Sequence, residues 1–166
     1  RGGTGGVTWF LPPEDKSYTS IIEFKDILAR ALGGRIAEQI IYGPDRVTTG
    51  AGSDLQHVSG IARDMIMEQG MGSKLRNQVF HEDEGGMMFE KITHERPYSD
   101  ETAKEIDKEV ADLIQEAARR AEAVLSKNRA SLDKLAKELL KEETLEEDQV
   151  AEILKDTVLP KEAKLY

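Results

Sequence analysis

The sequence has no cysteine among its 166 residues. Disulfide frameworks, thiolate zinc sites and cysteine nucleophiles are therefore excluded, and any metal has to be bound by histidine, aspartate or glutamate. Long apolar runs are also missing. A membrane-spanning helix needs roughly 20 mostly apolar residues, whereas the apolar runs here extend over only a few. No basic stretch is present and the formal charge is −9, so we expect no nucleic-acid partner.

Glycine is missing from the second part of the chain. All 14 glycines lie at or before Gly86, and residues 100–166 carry 30 charged side chains among 67. Glycine allows tight turns and close backbone approach, whereas a charged stretch without glycine favours helix. We therefore divide the chain into residues 1–98 and residues 99–166.

Because it begins with Arg1 instead of Met, we expect it to be a piece of a longer protein.

Apolar periodicity predicts a mainly α fold for the first part. A short strand is expected at residues 7–11, between a glycine-rich lead and two prolines that end the run. Ser20 and Glu23 have the spacing of a capping box, and the pattern that follows predicts one helix up to Gly43. Ser53 with Gln56 predicts the start of a second helix. Residues 74–92 fit short strands and loop anchors equally well.

The second part is predicted to be helical from Ser99, which can cap a long amphipathic helix. A further apolar pattern at residues 132–140 predicts the next helix, and Thr144 with Glu147 predicts the cap of a last one. Short connections favour antiparallel packing of such helices. The predicted fold is thus mainly α, with a short N-terminal edge strand and a C-terminal antiparallel helical bundle.

A search for a complete catalytic set fails. A metalloprotease HExxH motif needs two histidines four residues apart on one helix face. After His81 and His94, however, the fourth residue along is Gly85 and Tyr98, respectively. The sequence also has no phosphate-binding loop and no nucleophile elbow. We therefore assign no catalytic residue and expect this chain to be inactive by itself.

One helical pattern contains residues that packing alone explains poorly. Gly33 and Gly34 lie inside it, although each glycine costs about 1 kcal/mol relative to alanine in a helix, so we expect a close approach there. Glu38 shares the apolar stripe of this pattern. A carboxylate on that stripe needs a partner or a metal because burying an unpaired charge is costly. The pattern alone favours an ion pair with Arg35 or Arg63.

Residues 47–55, VTTGAGSDL, form the other unusual stretch. Gly50 and Gly52 allow the backbone to pass close to another element. Asp54 falls in the first turn of the helix predicted to follow. From spacing alone, the favoured interpretation is an acid that complements the helix dipole.

These strings resemble the peptidase domain of FtsH-type, membrane-tethered, ATP-dependent zinc metalloproteases without its opening helices. The resemblance rests on GGVTWFLPPED at residues 5–15, GGRIAEQIIYG at 33–43, VTTGAGSDL at 47–55 and SDETAKEIDKEV at 99–110. It extends through the helical tail to about Leu154. In that family an HExxH motif lies a few tens of residues upstream of the point that matches the start of this chain.

The resemblance implies a role for Asp54 as the third protein ligand of the zinc, beside the two histidines of HExxH. Glu38 would then lie near the site and support the ligands without binding zinc, although a zinc-binding Glu on a later helix is the usual alternative in related metalloproteases. Zinc is the implied cofactor of the parent protein, and tight binding by this chain alone is not expected. ATP would be bound by an upstream ATPase module.

The same resemblance implies partners and a location. One segment matches the edge strand of the family's active-site cleft and consists of Gly6, Val7, Thr8, Trp9 and Phe10. An extended polypeptide substrate can add to such an edge as another strand. The charged helices match the segment that packs peptidase domains into a hexameric ring, and we expect a homo-oligomer. The parent would be tethered to a bacterial inner or an organellar membrane by an upstream segment, with the peptidase in the cytoplasm or organelle interior; the piece itself is expected to be soluble.

Two functions follow from these observations. The first is a piece of a zinc endopeptidase that degrades unfolded or membrane proteins and that supplies one ligand, a cleft-edge strand and oligomerisation helices. The alternative is a non-enzymatic helical interaction and oligomerisation module, in which Asp54 is only a capping residue and Gly33 and Gly34 serve only packing.

Overall fold

The computed structural model describes Gly6, Thr8 and residues 18–80 and 97–165. Its helices are α1 (Ile21–Ala31), α2 (Gly33–Tyr42), α3 (Gly52–Met67), α4 (Asp100–Lys127), α5 (Arg129–Glu142) and α6 (Glu147–Leu154). Single 3-10 turns lie at Pro44–Arg46, Thr49–Ala51 and Lys161–Ala163. The predicted mainly α class is confirmed. The predicted strand at residues 7–11 lies almost entirely outside the described residues, which contain no strand.

Two helix starts follow the predicted capping chemistry. The Ser20 side chain accepts a hydrogen bond from the backbone N–H of Glu23, and the Glu23 carboxylate accepts one from the backbone N–H of Ser20 at 2.8 Å. Ser99 likewise accepts from the backbone N–H of Thr102. These bonds satisfy N–H groups that have no partner inside the helix. Both sequence predictions are therefore confirmed.

The single helix predicted after Ser20 is wrong, because Leu32 separates α1 from α2. The break lies beside Gly33 and Gly34, where helix propensity is lowest. The predicted caps of two later helices are also displaced. Ala51, not Ser53, is the N-cap of α3, and α6 begins after Glu146, whose backbone N–H donates to the Gln149 side chain at 2.9 Å.

The core lies where α1, α2 and α3 pack against α4. Its buried side chains come from all four helices and from the turn at Leu32: Leu28, Leu32, Ile36, Val58, Ala62, Met65, Ala117 and Ala121. A smaller cluster joins Ile66, Met67 and Ile106. The first helix of the predicted C-terminal bundle thus shares a core with the first part of the chain. The division at residue 98 stays a prediction.

Helix α4 also carries two buried charged residues, Glu109 and Arg120. Arg120 binds α1 through the Lys25 carbonyl oxygen at 3.0 Å and the Asp26 carboxylate at 2.5 Å. The Lys25 ammonium in turn lies 2.9 Å from the Glu116 carboxylate. These bonds fix α1 along the second half of α4. Among the described helices, none combines the length and the apolar character of a membrane span.

Candidate functional site

The connection between α2 and α3 contains a turn at residues 48–51, and side chains of α2 hold it through hydrogen bonds to Thr48. The Glu38 carboxylate accepts the Thr48 backbone N–H at 3.0 Å and the Thr48 hydroxyl at 2.8 Å. The Arg35 guanidinium donates to the Thr48 carbonyl oxygen at 3.0 Å. The Thr48 hydroxyl oxygen accepts the backbone N–H of Gly50 at 3.1 Å. Two side chains of α2 therefore bind both main-chain groups of the residue that opens the turn into α3.

Glu38 is half-buried, and its pKa lies below the usual glutamate value. The main cause is the backbone N–H of Thr48, followed by the Thr48 hydroxyl; partial burial opposes the shift, and the Arg35 charge adds to it. A carboxylate on the apolar stripe of a helix needs a partner, and for Glu38 that partner is Thr48. Arg63, the other cation considered from the sequence, lies 3.8 Å from Asp107.

Asp54 lies in the first turn of α3, and its side chain is exposed. Negative charge is favourable at this end of a helix, so the position suits the dipole interpretation as well as a ligand role. His57 lies one turn later on α3 and is also exposed. Within the described ranges, no three His, Asp or Glu side chains are grouped closely enough to hold a metal ion. The zinc-ligand role of Asp54 stays a prediction.

Three of the four glycines predicted to allow close packing have open surroundings in the described part of the chain. A Cβ atom added at Gly33, Gly34 or Gly52 would meet no atom within 4 Å, and one at Gly50 would lie 3.2 Å from the Thr48 hydroxyl oxygen. Ile41 and Tyr42, which follow on α2, are exposed apolar side chains. The close approach itself remains a prediction, because the described residues supply no neighbour for Gly33, Gly34 or Gly52.

The predicted substrate-binding segment is described at two positions only. Gly6 and Thr8 are exposed and belong to no helix or strand. Val7, Trp9 and Phe10 lie outside the described residues, as do His81 and His94. In the ambiguous stretch, the Phe80 backbone N–H donates to the Met67 carbonyl oxygen at 2.7 Å. Residues 78–80 have no regular secondary structure.

Sequence reasoning missed the buried carboxylate of Glu109, which holds the loop that follows α3. Its oxygens accept backbone N–H groups from Ser73 at 2.7 Å, Lys74 at 2.6 Å and Leu75 at 3.2 Å, and the Ser73 hydroxyl at 3.2 Å. The signal was present in the sequence, because Glu109 lies three residues after Ile106 and four before Leu113 on the apolar stripe of α4.

Replacing Thr48 with valine is expected to loosen the turn before Asp54. Valine has nearly the same shape but no hydroxyl, so the two bonds of the hydroxyl, to Glu38 and to the Gly50 N–H, are lost. The bond from the Thr48 backbone N–H to Glu38 stays. Amide hydrogen exchange at residues 49–52 should become a few-fold faster, while exchange in the centre of α4 stays unchanged. Thr102→Val, at the N-terminus of α4, is the control. Unchanged exchange at residues 49–52 would show that Thr48 does not fix this turn.

We also expect the stability of this turn to depend on pH. Because the folded pKa of Glu38 is lowered, its contribution is complete above the unfolded value of 4.5 and is lost as the pH falls through the folded pKa. The rate of amide hydrogen exchange at residues 49–52, corrected for its intrinsic pH dependence, should therefore rise as the pH falls through the folded pKa of Glu38. Glu38→Gln should remove this rise.

Comparisons with known proteins match nearly the whole chain. Residues 1–153 match Peptidase family M41. The ATP-dependent zinc metalloprotease FtsH 3 of Synechocystis sp. is 42% identical over 158 residues, which cover 93% of this chain and 26% of that protein. The ATP-dependent zinc metalloprotease FtsH of Bacillus subtilis is 40% identical over 162 residues, covering 96% of this chain and 25% of that protein.

A third relative, the ATP-dependent zinc metalloprotease FtsH of Chloroflexus aggregans, is 43% identical over 157 residues. The chain spans about a quarter of the length of the curated relatives that it matches. The sequence resemblance is confirmed by these matches, and the chain belongs to Peptidase family M41.

Proposed function

We propose that this chain is part of an ATP-dependent zinc endopeptidase and that it supplies one carboxylate ligand, Asp54, to the metal. The observation that carries the proposal is the exposed carboxylate in the first turn of α3, directly after a turn that Glu38 and Arg35 hold through Thr48. Membership of Peptidase family M41 and the names of the relatives support zinc and proteolysis.

A zinc site with Asp54 as one ligand would need further donors, and we expect them to be the two histidines of an upstream HExxH motif. If bound by Asp54 and two imidazoles, zinc would supply Lewis-acid chemistry and would lower the pKa of a water molecule that attacks a peptide carbonyl. Asp54 contributes negative charge and an oxygen donor. Glu38 acts on Asp54 only indirectly, by fixing the turn that precedes it. One carboxylate cannot supply a site's affinity, so the chain alone should bind no stoichiometric zinc at micromolar metal.

The remaining functions of the whole protein are proposals that rest on the family resemblance. Substrates are unfolded or membrane polypeptides, which add as a strand beside residues 6–10. ATP is bound by an upstream module, and an upstream segment tethers the protein to a bacterial inner or an organellar membrane. The parent assembles as a hexamer. The names of the relatives support ATP dependence but specify neither substrates nor assembly.

The ligand role can be tested with Asp54→Ala in the longer protein that carries the HExxH segment. Loss of a metal ligand should reduce zinc affinity by more than the roughly 10–100-fold typical of outer-sphere changes, and proteolysis of an unfolded substrate should fall to background. Zinc content after dialysis, measured by mass spectrometry, and peptide release give the two readouts.

Asp64→Ala is the matched control, because Asp64 is an exposed aspartate on the same helix. It should keep zinc and activity. If the Asp54 variant retains as much zinc as the Asp64 variant and remains proteolytic, Asp54 is not a ligand. If the longer protein contains no HExxH motif at all, the non-enzymatic alternative gains the stronger support.

A further inference from the structure

Helix α2 is apolar on two opposite sides. On one side, Ile36 and Ile40 belong to the core beside α4. The other side, here called the outer face, contains Gly34, Ala37 and Ile41, which follow one another at spacings of three and four residues. Ile41 is 41% exposed. Because a helix at a protein surface normally carries polar side chains opposite its core side, the composition of the outer face indicates a helix that packs on both sides.

The polar side chains of α2 are engaged elsewhere. The Arg35 guanidinium and the Glu38 carboxylate are both bound to Thr48. Gln39, the third polar residue of the helix, lies two positions after Ala37 and therefore on a different side. The outer face is thus left with two small residues and one exposed apolar side chain.

The glycines of α2 gain nothing from the neighbours that the structure describes. A Cβ atom added at Gly33 or Gly34 would meet none of the described atoms within 4 Å, although each glycine lowers the propensity of the chain to form a helix. Glycine at a helix surface allows another backbone to approach closely. A second helix packed on the outer face would explain both the glycines and the exposed Ile41.

We propose that the outer face of α2 is the docking site for a helix of the longer polypeptide, and that this helix carries the two histidine donors. The chain spans about a quarter of the length of its relatives, so most of each relative lies outside the matched region. Glu38 borders the outer face and, with Arg35, holds the turn before Asp54. A helix on this face therefore runs beside that turn. The coverage of the face does not depend on zinc, whereas the identity of the covering helix rests on the proposed function.

Gly34→Ala tests the docking through a change of sign. In this chain alone, alanine should strengthen α2, so amide hydrogen exchange at residues 36–42 should become about 2–5-fold slower. In the longer protein the added methyl group would push the two helices apart, and the same amides should exchange at least about 5-fold faster. The amides of the helix that carries the histidines should lose protection with them. Both proteins are measured after zinc has been removed with a chelator, so metal binding does not contribute.

Ile41→Ser gives a second readout that adds no bulk. Isoleucine and serine have similar helix propensities, so exchange at residues 36–42 should change by less than about 2-fold in this chain alone. In the longer protein the loss of the apolar contact should make it at least about 5-fold faster. Gln39→Gly is the matched control on the same helix, and it should speed exchange a few-fold in both proteins.

Three results would overturn the proposal. If Gly34→Ala slows exchange in the longer protein as well, no helix packs on the outer face. If it speeds exchange in this chain alone, another part of the chain or a second copy already covers the face. If a segment other than the histidine helix loses protection, the occupant is wrong. Retention of zinc by the Asp54→Ala protein would instead contradict the ligand role of Asp54, and the change of sign at Gly34 would still show that the outer face is covered.

Discussion

Replacing Glu109 with glutamine is expected to destabilise the chain by about 2–4 kcal/mol. The carboxylate is buried and accepts hydrogen bonds from three successive backbone N–H groups and one hydroxyl in the loop that follows α3. The glutamine amide nitrogen would face N–H donors, so buried groups would lose their acceptor and the negative charge that strengthens these bonds. Urea unfolding monitored by circular dichroism gives the free energy of unfolding.

Glu105→Gln is the control for this prediction. Glu105 lies one turn earlier on α4, and its carboxylate is 2.9 Å from the ammonium of Lys74, a residue of the same loop. The Lys74 side chain in that ion pair is 63% exposed and Glu105 is only partly buried, so loss of the pair should cost less than about 1 kcal/mol. Equal effects of the two substitutions would show that the carboxylate of Glu109 does not anchor the loop through its main chain.

The same carboxylate predicts acid sensitivity. Burial alone would raise the pKa of Glu109, but the hydrogen bonds from residues 73–75 outweigh burial and lower it below the usual value of 4.5. The stabilisation is therefore complete above pH 4.5 and is lost as the pH falls through the folded pKa. In Glu109→Gln the free energy of unfolding should fall less steeply below pH 4.5 than in the wild type.

The helices were predictable because their periodicity and caps are local. Ser20 and Ser99 cap as expected, since each has a partner within the next three residues. The break at Leu32 was not predicted, because an uninterrupted apolar stripe continues across it. The caps at Ser53 and Thr144 were misplaced because neighbouring residues offer competing helix starts. Sequence spacing alone does not decide between starts one or two residues apart.

The candidate site could be predicted only in part, because a sequence pattern shows that a charged residue needs a partner but does not show which residue supplies it. Glu38 was selected because a charged residue on an apolar stripe needs a partner, and the structure shows that partner to be Thr48. The same rule applies to Glu109 and Arg120 on α4, both buried and fully bonded. Their partners lie 34 or more residues away in sequence and are main-chain groups, except for the Ser73 hydroxyl and the Asp26 carboxylate. Spacing carries no information about such partners.

Gly72→Ala should destabilise the chain by about 1–3 kcal/mol through overpacking. A Cβ atom at this position would overlap a carboxylate oxygen of Glu109 and would lie 3.2 Å from its carboxylate carbon. The backbone of Gly72 is not in the left-handed region, so alanine meets no backbone strain and the cost comes from this contact. Glu109 cannot turn aside without breaking the hydrogen bonds that anchor the loop. Thermal and urea unfolding measure the effect.

Gly60→Ala is the matched control with the opposite sign. Gly60 lies within α3, and an added Cβ would meet no atom within 4 Å, so alanine should stabilise the chain by roughly 0.5–1 kcal/mol through helix propensity. A double-mutant cycle then separates the contact from other effects. In a Glu109→Ala background the carboxylate is absent, and Gly72→Ala should cost less than about 0.5 kcal/mol. If Gly72→Ala costs as much in that background as in the wild type, the packing of Gly72 against Glu109 does not explain the need for glycine.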